Sequence, residues 1–235
     1  MQRTRSTAAW RGQPLGGVLF DLDGTLLDTA ADIARALNRA FAERGWKPLP
    51  VGDVSRMIGR GSPILIERAA ASLGLALNAA DQAALLERFF HFYGLLEESN
   101  ESDARPYAGV ADTLKTVHDA GLRVAVVTNK QQRFASALLD RLELRARVDL
   151  IVGGDTCERR KPDPQPLLFA CESLALLPSQ VLMVGDSIND VSAARAAGIA
   201  IVCVPYGYNE GRDPRSLECD AMIDTLAELP ALLWR

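Results

Sequence analysis

The sequence predicts a doubly wound α/β fold: a parallel β-sheet with helices on both faces, interrupted by a helical insertion. Three observations predict it. Short apolar runs rich in β-branched residues recur along the chain, helical patterns lie between most of them, and a long stretch after the first run holds helices alone. Runs without polar alternation are typical of strands buried on both faces of a parallel sheet. Strands that alternate with helices favour right-handed crossovers.

Each predicted strand is bounded by turn residues. The five strands are Gly17–Asp21, Arg123–Thr128, Asp149–Val152, Val181–Gly185 and Ala200–Val204. The helices that alternate with them are Val110–Ala120, Gln131–Leu142, Pro166–Leu176 and Val191–Ala197. Gly121 and Gly198 directly follow two of these helices, and glycine is a common residue at that position.

The stretch between residues 28 and 106 breaks the alternation. Its helical patterns are Thr29–Arg44, Ile64–Leu73 and Asn78–Glu98, and it shows no convincing strand. Ser62-Pro63 and Asn78 are typical helix-start residues. We therefore predict three parts, which are an N-terminal tail at 1–14, a core domain at 15–27 and 107–235, and a helical cap domain at 28–106.

The composition is that of an ordinary globular protein. The net charge of −4 over 235 residues gives a nucleic-acid partner no general electrostatic support. The sequence has no apolar stretch long enough to cross a membrane and no secretory signal at its N-terminus. The four cysteines show neither a disulfide framework nor zinc-ligand spacing. We expect a cytoplasmic monomer or homodimer that binds neither nucleic acid nor membrane.

Polar side chains occur at the carboxyl ends of four predicted strands. They are Asp21 and Asp23 for the first strand, Thr128 and Asn129 for the second, Lys161 in a loop after the third, and Asp186 and Asp190 after the fourth. In open α/β sheets, ligands bind outside the carboxyl ends of the strands. We therefore expect these side chains to meet at one edge of the sheet.

These residue types favour phosphoryl chemistry. Asp21, Asp23 and Asp186, without a histidine, form a hard oxygen site of the kind that binds Mg²⁺. A carboxylate can attack phosphorus as a covalent nucleophile, and the Lys161 ammonium would offset its repulsion from a phosphate dianion. Asp23 lies two residues beyond Asp21, on the same side of an extended chain, where it can exchange protons with the leaving oxygen. Gly24 permits a tight turn and a close approach of backbone to phosphate.

Each motif alone has a simpler explanation. An isolated Asp-x-Asp-Gly is more often a turn than a catalytic site. Thr128-Asn129 alone is typical of a strand end before a helix, and Lys161-Pro162 is typical of a solvated loop. Asp186 and Asp190 can simply be carboxylates that interact favourably with the N–H groups at a helix N-terminus. None of these explanations accounts for the occurrence of all four sets at strand ends in this order.

Together the four sets resemble the motifs of the haloacid dehalogenase superfamily of phosphatases, from about Gly17 to the C-terminus. The motifs are Phe20-Asp21-Leu22-Asp23-Gly24-Thr25-Leu26-Leu27-Asp28-Thr29, Val127-Thr128-Asn129-Lys130, Arg160-Lys161-Pro162-Asp163-Pro164 and Val184-Gly185-Asp186-Ser187-Ile188-Asn189-Asp190. The resemblance implies a Rossmann-like core, a cap inserted after the first strand, and a Mg²⁺-dependent phosphatase that forms an aspartyl-phosphate. Dehalogenases of this superfamily lack the second aspartate, so Asp23 favours phosphate-ester hydrolysis. Sugar phosphomutases keep both aspartates and stay possible.

The resemblance also implies roles for single residues. Asp21 would be the nucleophile and a metal ligand, and Asp23 would be the acid/base and give the metal its carbonyl oxygen. Asp186 would be the third protein ligand, with Asp190 supporting the metal site or orienting Lys161. The predicted catalytic set is Asp21, Asp23, Thr128 and Lys161, and the predicted substrate-binding set is Gly24, Thr25, Arg60 and Asn129.

The choice of ester is expected to depend on the cap. In the loop Met57-Ile58-Gly59-Arg60-Gly61-Ser62, backbone N–H groups can face an anion and Arg60 can bind a carboxylate. A flexible turn with a solvated arginine explains the same residues. Val152-Gly153-Gly154-Asp155-Thr156 and Pro205-Tyr206-Gly207-Tyr208-Asn209-Glu210-Gly211 resemble bacterial members that hydrolyse 2-phosphoglycolate. Relatives acting on pyrophosphate or amino-sugar phosphates share parts of both segments, so we predict a small phosphorylated metabolite, with 2-phosphoglycolate favoured.

Two other classes of protein use parts of this set. A response-regulator receiver domain also combines aspartates, Mg²⁺, a threonine and a lysine, but it has no need of a helical insertion. A serine hydrolase is suggested by Gly185-Asp186-Ser187, yet the run lacks a nucleophile elbow. His91 and His118 both lie in helical patterns, where they are more often surface or packing residues.

Overall fold

A six-stranded parallel sheet with helices on both faces forms the centre of the molecule. The computed structural model describes residues 8–99 and 101–234. The strands are β1 (Ala9–Trp10), β2 (Gln13–Pro14), β3 (Gly17–Phe20), β4 (Leu27–Asp28), β5 (Arg105–Pro106), β6 (Arg123–Val127), β7 (Leu150–Val152), β8 (Val181–Gly185), β9 (Ala200–Cys203) and β10 (Ala221–Met222). The α-helices are α1 (Ala30–Ala42), α2 (Val51–Ser55), α3 (Ser62–Ser72), α4 (Ala79–Glu98), α5 (Val110–Asp119), α6 (Gln132–Arg141), α7 (Gln165–Ser173), α8 (Ile188–Ala197) and α9 (Leu229–Leu233).

The strands of the central sheet run parallel in the order β10-β9-β8-β3-β6-β7. Successive side chains of a strand point to opposite faces of the sheet. The strands therefore contribute side chains to two hydrophobic clusters, one on each face. In β3, Val18 and Phe20 belong to one cluster and Leu19 to the other. Helices α5, α6 and α9 contribute to the first cluster, and α7 and α8 to the second. The predicted doubly wound parallel sheet is therefore confirmed.

The five predicted strands all occur, each within one residue of its predicted bounds at either end. The sixth strand, β10, is only two residues long, and α2 and α9 have five residues each. Elements this short leave too little periodicity for a prediction. No helix among residues 8–99 and 101–234 is long and apolar enough to cross a membrane.

Helices α1 to α4 form a group of their own between β4 and β5. Their apolar faces make a third hydrophobic cluster, to which the sheet side contributes Phe134 of α6. β4 and β5 pair antiparallel where the chain enters and leaves this group, with Leu27 opposite Pro106. These two-residue strands were not predicted from the sequence. That residues 28–106 act as a cap domain stays a prediction.

Part of the predicted N-terminal tail has regular structure. β1 and β2 pair as an antiparallel hairpin, and the flanking Ala8 and Leu15 are buried in the first hydrophobic cluster. The expectation of a tail is corrected for residues 8–14, because apolar side chains at both ends of the hairpin pack on the core. Residues 1–7 lie outside the described residues.

Asp32 of α1 fixes the segment that returns from the inserted helices. Its buried carboxylate accepts hydrogen bonds from the N–H groups of Asp103 and Ala104, at 2.8 and 3.2 Å, and from the Ser102 hydroxyl. A buried carboxylate is costly unless it is hydrogen-bonded. These bonds offset that cost and hold the return segment beside the start of α1.

Asp32→Ala is expected to lower the free energy of unfolding by about 2–4 kcal/mol, because three donors lose a charged acceptor. Urea denaturation followed by far-UV circular dichroism measures the change. Asp140→Ala, at an exposed position of α6, is the control and should change the stability by less than about 0.5 kcal/mol. Equal losses in the two variants would contradict this role of Asp32.

Candidate active site

The carboxyl ends of the central strands bring the predicted carboxylates together. Asp21 follows β3, Asp186 follows the neighbouring β8, and Asp190 lies in the first turn of α8. One carboxylate oxygen from each of these three residues lies within 4.8 Å of the other two. The predicted meeting of Asp21, Asp186 and Asp190 at one sheet edge is therefore what the structure shows.

Lys161 is the cation of this cluster. Its ammonium lies 2.8 Å from Asp21 Oδ1 and 2.7 Å from Asp190 Oδ1, and it donates to the Val127 carbonyl at 2.6 Å. Its side chain is only 2% exposed. Burial opposes the ammonium charge, but Asp190 and Asp21 together raise the pKa of Lys161 above its usual value. Lys161 is therefore a permanent positive charge fixed beside the end of β6.

The carboxylates outnumber the positive charges around them. Burial raises the pKa of Asp21 well above its usual value against the opposing effect of Lys161, and the charges of Asp190 and Asp186 add to the rise. Burial, with the Asp190 charge, raises the pKa of Asp186 to about 7. An all-oxygen set with excess negative charge is what hard divalent cations prefer. Asp21 and Asp186 therefore fit a divalent metal.

The loop after β9 holds Asp186 in place. Asp186 Oδ2 accepts the Tyr208 N–H at 2.7 Å, and its Oδ1 accepts the Thr25 hydroxyl at 2.8 Å. A Cβ on Gly207 would lie 2.2 Å from Asp186 Oδ2, and one on Gly24 would lie 2.5 Å from the same oxygen. Gly24 and Gly207 thus allow two loops to approach the carboxylate. Thr25, which was predicted to bind substrate, is fully buried. Its hydroxyl donates to Asp186 in this structure.

Ser187 supports Asp190 and lacks the surroundings of a nucleophile. Its hydroxyl donates to Asp190 Oδ2 at 2.6 Å, and its N–H donates to the same oxygen at 3.1 Å. Lys161 donates to the other oxygen, so both oxygens of the Asp190 carboxylate accept hydrogen bonds. His91 and His118 are both exposed, and neither is hydrogen-bonded to Ser187. A serine-hydrolase site is therefore not favoured.

Asp23 lies beside a lysine whose role sequence reasoning missed. Its carboxylate accepts the Thr29 hydroxyl at 2.7 Å, and Lys130 Nζ lies 3.1 and 3.3 Å from its two oxygens. Lys130 Nζ is also 4.5 Å from the centre of the Tyr93 ring. Burial opposes the charge of Lys130, but Asp23 and Tyr93 raise its pKa above the usual value. The sequence signal that could have identified Lys130 is its position directly after Asn129.

Asn129 joins the inserted helices to the core. Its amide donates to the Gly59 carbonyl at 2.8 Å and to the Lys161 carbonyl at 2.9 Å. Its Oδ1 is buried without a hydrogen-bond partner in the described part of the chain. The Thr128 hydroxyl accepts the Lys130 N–H at 3.2 Å. Both predicted residues therefore lie at the site, and Asn129 also contacts the loop before α3.

A cavity of about 50 Å³ lies between this sheet edge and the inserted helices. Asp21, Asp23, Thr128 and Lys130 contribute polar groups to its lining. Its apolar lining residues are Ile33, Ile58, Leu65, Phe89, Phe90 and Phe134, and Tyr93 adds a ring and a hydroxyl. The cavity therefore has polar groups at the sheet edge and apolar side chains on its other walls.

Arg60 lies outside the lining of this cavity. Its side chain is 46% exposed, and its Nε is 3.9 Å from Glu210 Oε1. Arg68 pairs with the other oxygen of Glu210 at 2.9 Å, and the Asn189 amide donates to Oε1 at 3.1 Å. The structure therefore does not bring Arg60 to Asp21. The Arg60 side chain instead faces the Glu210 carboxylate, in the loop after β9.

Known proteins resemble this chain over most of its length. A model of the haloacid dehalogenase-like hydrolase family matches residues 18–204. A protein of Nitrosospira multiformis named phosphoglycolate phosphatase is 44% identical over 226 residues, which are 94% of this chain and 97% of that protein. A protein of the same name from Thiobacillus denitrificans is 41% identical over 224 residues, with the same shares covered.

Solved structures show the same architecture. One described as a predicted phosphoglycolate phosphatase from Haemophilus somnus has a TM-score of 0.85 and 29% identity, and the match covers 93% of this chain and 97% of that one. CbbY from Rhodobacter sphaeroides, solved in complex with phosphate, has a TM-score of 0.79 and 26% identity, with 93% and 99% covered. The likeness therefore includes the inserted helices as well as the sheet.

The raised pKa of Asp186 predicts a loss of stability with rising pH in the absence of divalent metal. Its pKa is about 7 in the folded protein and about 3.9 in an unfolded chain. Between these values the native state holds a proton that the unfolded state releases, so the free energy of unfolding falls as pH rises. The fall should approach about 4 kcal/mol between about pH 4 and pH 8.

Urea denaturation in a metal chelator at several pH values measures this effect. Asp186→Asn is the matched control, because the amide can still accept the Tyr208 N–H and carries no titrating proton. The wild-type protein should lose more stability with rising pH than this variant. The same pH dependence in both proteins would contradict the assignment to Asp186.

Proposed function

The chain belongs to the haloacid dehalogenase-like hydrolase family, and on that premise we propose that it hydrolyses a small phosphate monoester through an aspartyl-phosphate on Asp21. The observation that carries the proposal is the position of Asp21. It is the one carboxylate among the described residues that both lines the cavity and contacts Lys161. Asp186 and Asp190 do not line the cavity, and Asp23 makes no ion pair with Lys161.

Asp21 can attack a phosphoryl group that enters the cavity. The Lys161 ammonium, 2.8 Å from Asp21 Oδ1, opposes protonation of the carboxylate and can stabilise charge on the phosphoryl oxygens. The Thr128 hydroxyl, which lines the cavity, can donate to the same oxygens. A water molecule then takes the phosphoryl group from Asp21, and this step releases phosphate and restores the carboxylate.

Asp23 is proposed as the acid and base of the two steps. It lines the cavity next to Asp21, and the Thr29 hydroxyl at 2.7 Å fixes one of its oxygens. Asp23 would protonate the oxygen of the leaving alcohol in the first step. It would then remove a proton from the attacking water in the second step.

We propose Mg²⁺ as the metal, held by the carboxylates of Asp21 and Asp186 and, as the family resemblance implies, by the Asp23 carbonyl oxygen. When bound, Mg²⁺ supplies positive charge that reduces the repulsion between the Asp21 carboxylate and a phosphate dianion. Both Asp190 oxygens are taken by Ser187 and Lys161. We propose that Asp190 orients Lys161 and supports the metal site, because it belongs to the same carboxylate cluster as Asp21 and Asp186.

The proposed substrate is 2-phosphoglycolate. The support comes from relatives named phosphoglycolate phosphatase that are 41 to 44% identical over 94% of the chain. These relatives do not favour pyrophosphate, a sugar phosphate, a phosphomutase or a receiver module. A cytoplasmic location and a monomeric or homodimeric state stay predictions from the sequence.

With Mg²⁺, the purified protein is expected to release phosphate from 2-phosphoglycolate faster than from pyrophosphate or a hexose phosphate. Asp21→Asn should lower kcat by at least about a thousandfold, because the amide is a poor nucleophile. Asp140→Asn, on the exposed face of α6, should leave the rate unchanged. Phosphate release from none of the esters, or full activity in Asp21→Asn, would contradict the proposed function.

A further inference from the structure

The cavity has one cationic side chain in its lining among the described residues, and that residue is Lys130. Lys161 reaches Asp21 from beneath the cavity and is not part of the lining. A substrate that carries a second anionic group has to place it beyond the phosphoryl group, between the inserted helices and the sheet edge. An ionised group buried there without a partner would be strongly disfavoured.

Lys130 is positioned to meet such a group. Its side chain is 7% exposed, and its Nζ is held between Asp23, at 3.1 Å, and the ring of Tyr93, at 4.5 Å from the ring centre. An ammonium on an aromatic face keeps its remaining N–H donors available, because the ring stabilises the charge without accepting them all.

Tyr93 supplies a second donor at the same place. It belongs to α4 and lines the cavity, it is 2% exposed, and its hydroxyl has no hydrogen-bond partner in the described part of the chain. Burial raises the pKa of Tyr93 above its usual value, so the hydroxyl keeps its proton. An unpaired buried hydroxyl costs free energy, and a ligand that accepts its hydrogen bond removes that cost.

We propose that Lys130 and the Tyr93 hydroxyl together bind the carboxylate of the substrate and thereby determine the specificity of the enzyme. This inference rests on the proposed function. It adds the residues that bind the end of the substrate opposite the phosphoryl group. Lys130 and Tyr93 would bind the carboxylate that Arg60 was predicted to bind. Arg60 is 46% exposed and faces Glu210, outside the lining of the cavity.

The contact between Lys130 and Asp23 gives the proposal a further consequence. Before substrate binds, Lys130 neutralises Asp23. A substrate carboxylate would compete with Asp23 for the Lys130 ammonium. The ion pair between Lys130 and Asp23 would then weaken.

The test compares two esters that differ at one end only, 2-phosphoglycolate and 2-hydroxyethyl phosphate, which has a neutral hydroxymethyl group in place of the carboxylate. The measured quantity is the ratio of their kcat/KM values in each variant. Lys130→Gln should lower this ratio by about 10- to 100-fold, because a charge-assisted hydrogen bond is lost. Tyr93→Phe should lower it by up to about tenfold and keep the ring over Lys130. Lys130→Arg should restore part of the ratio.

Arg60→Gln is the matched control, because it removes a cation outside the cavity, and it should leave the ratio unchanged. Equal losses on both esters in Lys130→Gln, or a fall in the ratio in Arg60→Gln alone, would overturn the inference. Wild-type protein that hydrolyses neither ester would instead contradict the proposed function. If Lys130→Gln fails to fold, as judged by circular dichroism, Tyr93→Phe decides alone, and an unchanged ratio in that variant overturns the proposal.

Discussion

The buried contact of Lys161 with Asp21 and Asp190 is the interaction on which the rest of the site depends. Three side chains with these charges would be unstable apart in the interior, and breaking a buried pair typically costs about 3–5 kcal/mol. Lys161 reaches both carboxylates from a loop after β7, at 2.8 and 2.7 Å. Its bond to the Val127 carbonyl ties that loop to the end of β6. The geometry of three strand ends is thereby fixed by one ammonium group.

A second lysine organises the other half of the site. Lys161 lies with Asp21, where phosphorus is proposed to react, and Lys130 lies with Asp23, where the leaving group is proposed to depart. Each lysine places a positive charge within 3.1 Å of a carboxylate of the site. The inserted helices add apolar walls and the Tyr93 hydroxyl. In the proposed function, the sheet edge would carry the chemistry, and the inserted helices would limit which esters can reach it.

The sheet and the edge that carries the candidate site could be predicted from the sequence because they depend on local signals. Buried strands are continuous apolar runs, and the residues after them share one edge whatever the details of packing. The positions of Lys130, Tyr93 and Arg60 could not be predicted in this way. Tyr93 lies in a helical pattern that resembles ordinary core. The direction of the Arg60 side chain depends on Glu210, 150 residues later in the chain.

Phosphorylation of Asp21 is the step on which the proposed function rests, and rapid acid quenching can detect it. Enzyme mixed with radiolabelled 2-phosphoglycolate and Mg²⁺ is stopped within one turnover, digested and mapped. Label is expected on the peptide that contains Asp21. Hydroxylamine should remove this label, as it removes an acyl phosphate, and the label should last longer in Asp23→Asn. Release of phosphate without a labelled peptide, or hydroxylamine-stable label on the peptide that contains Ser187, would contradict this prediction.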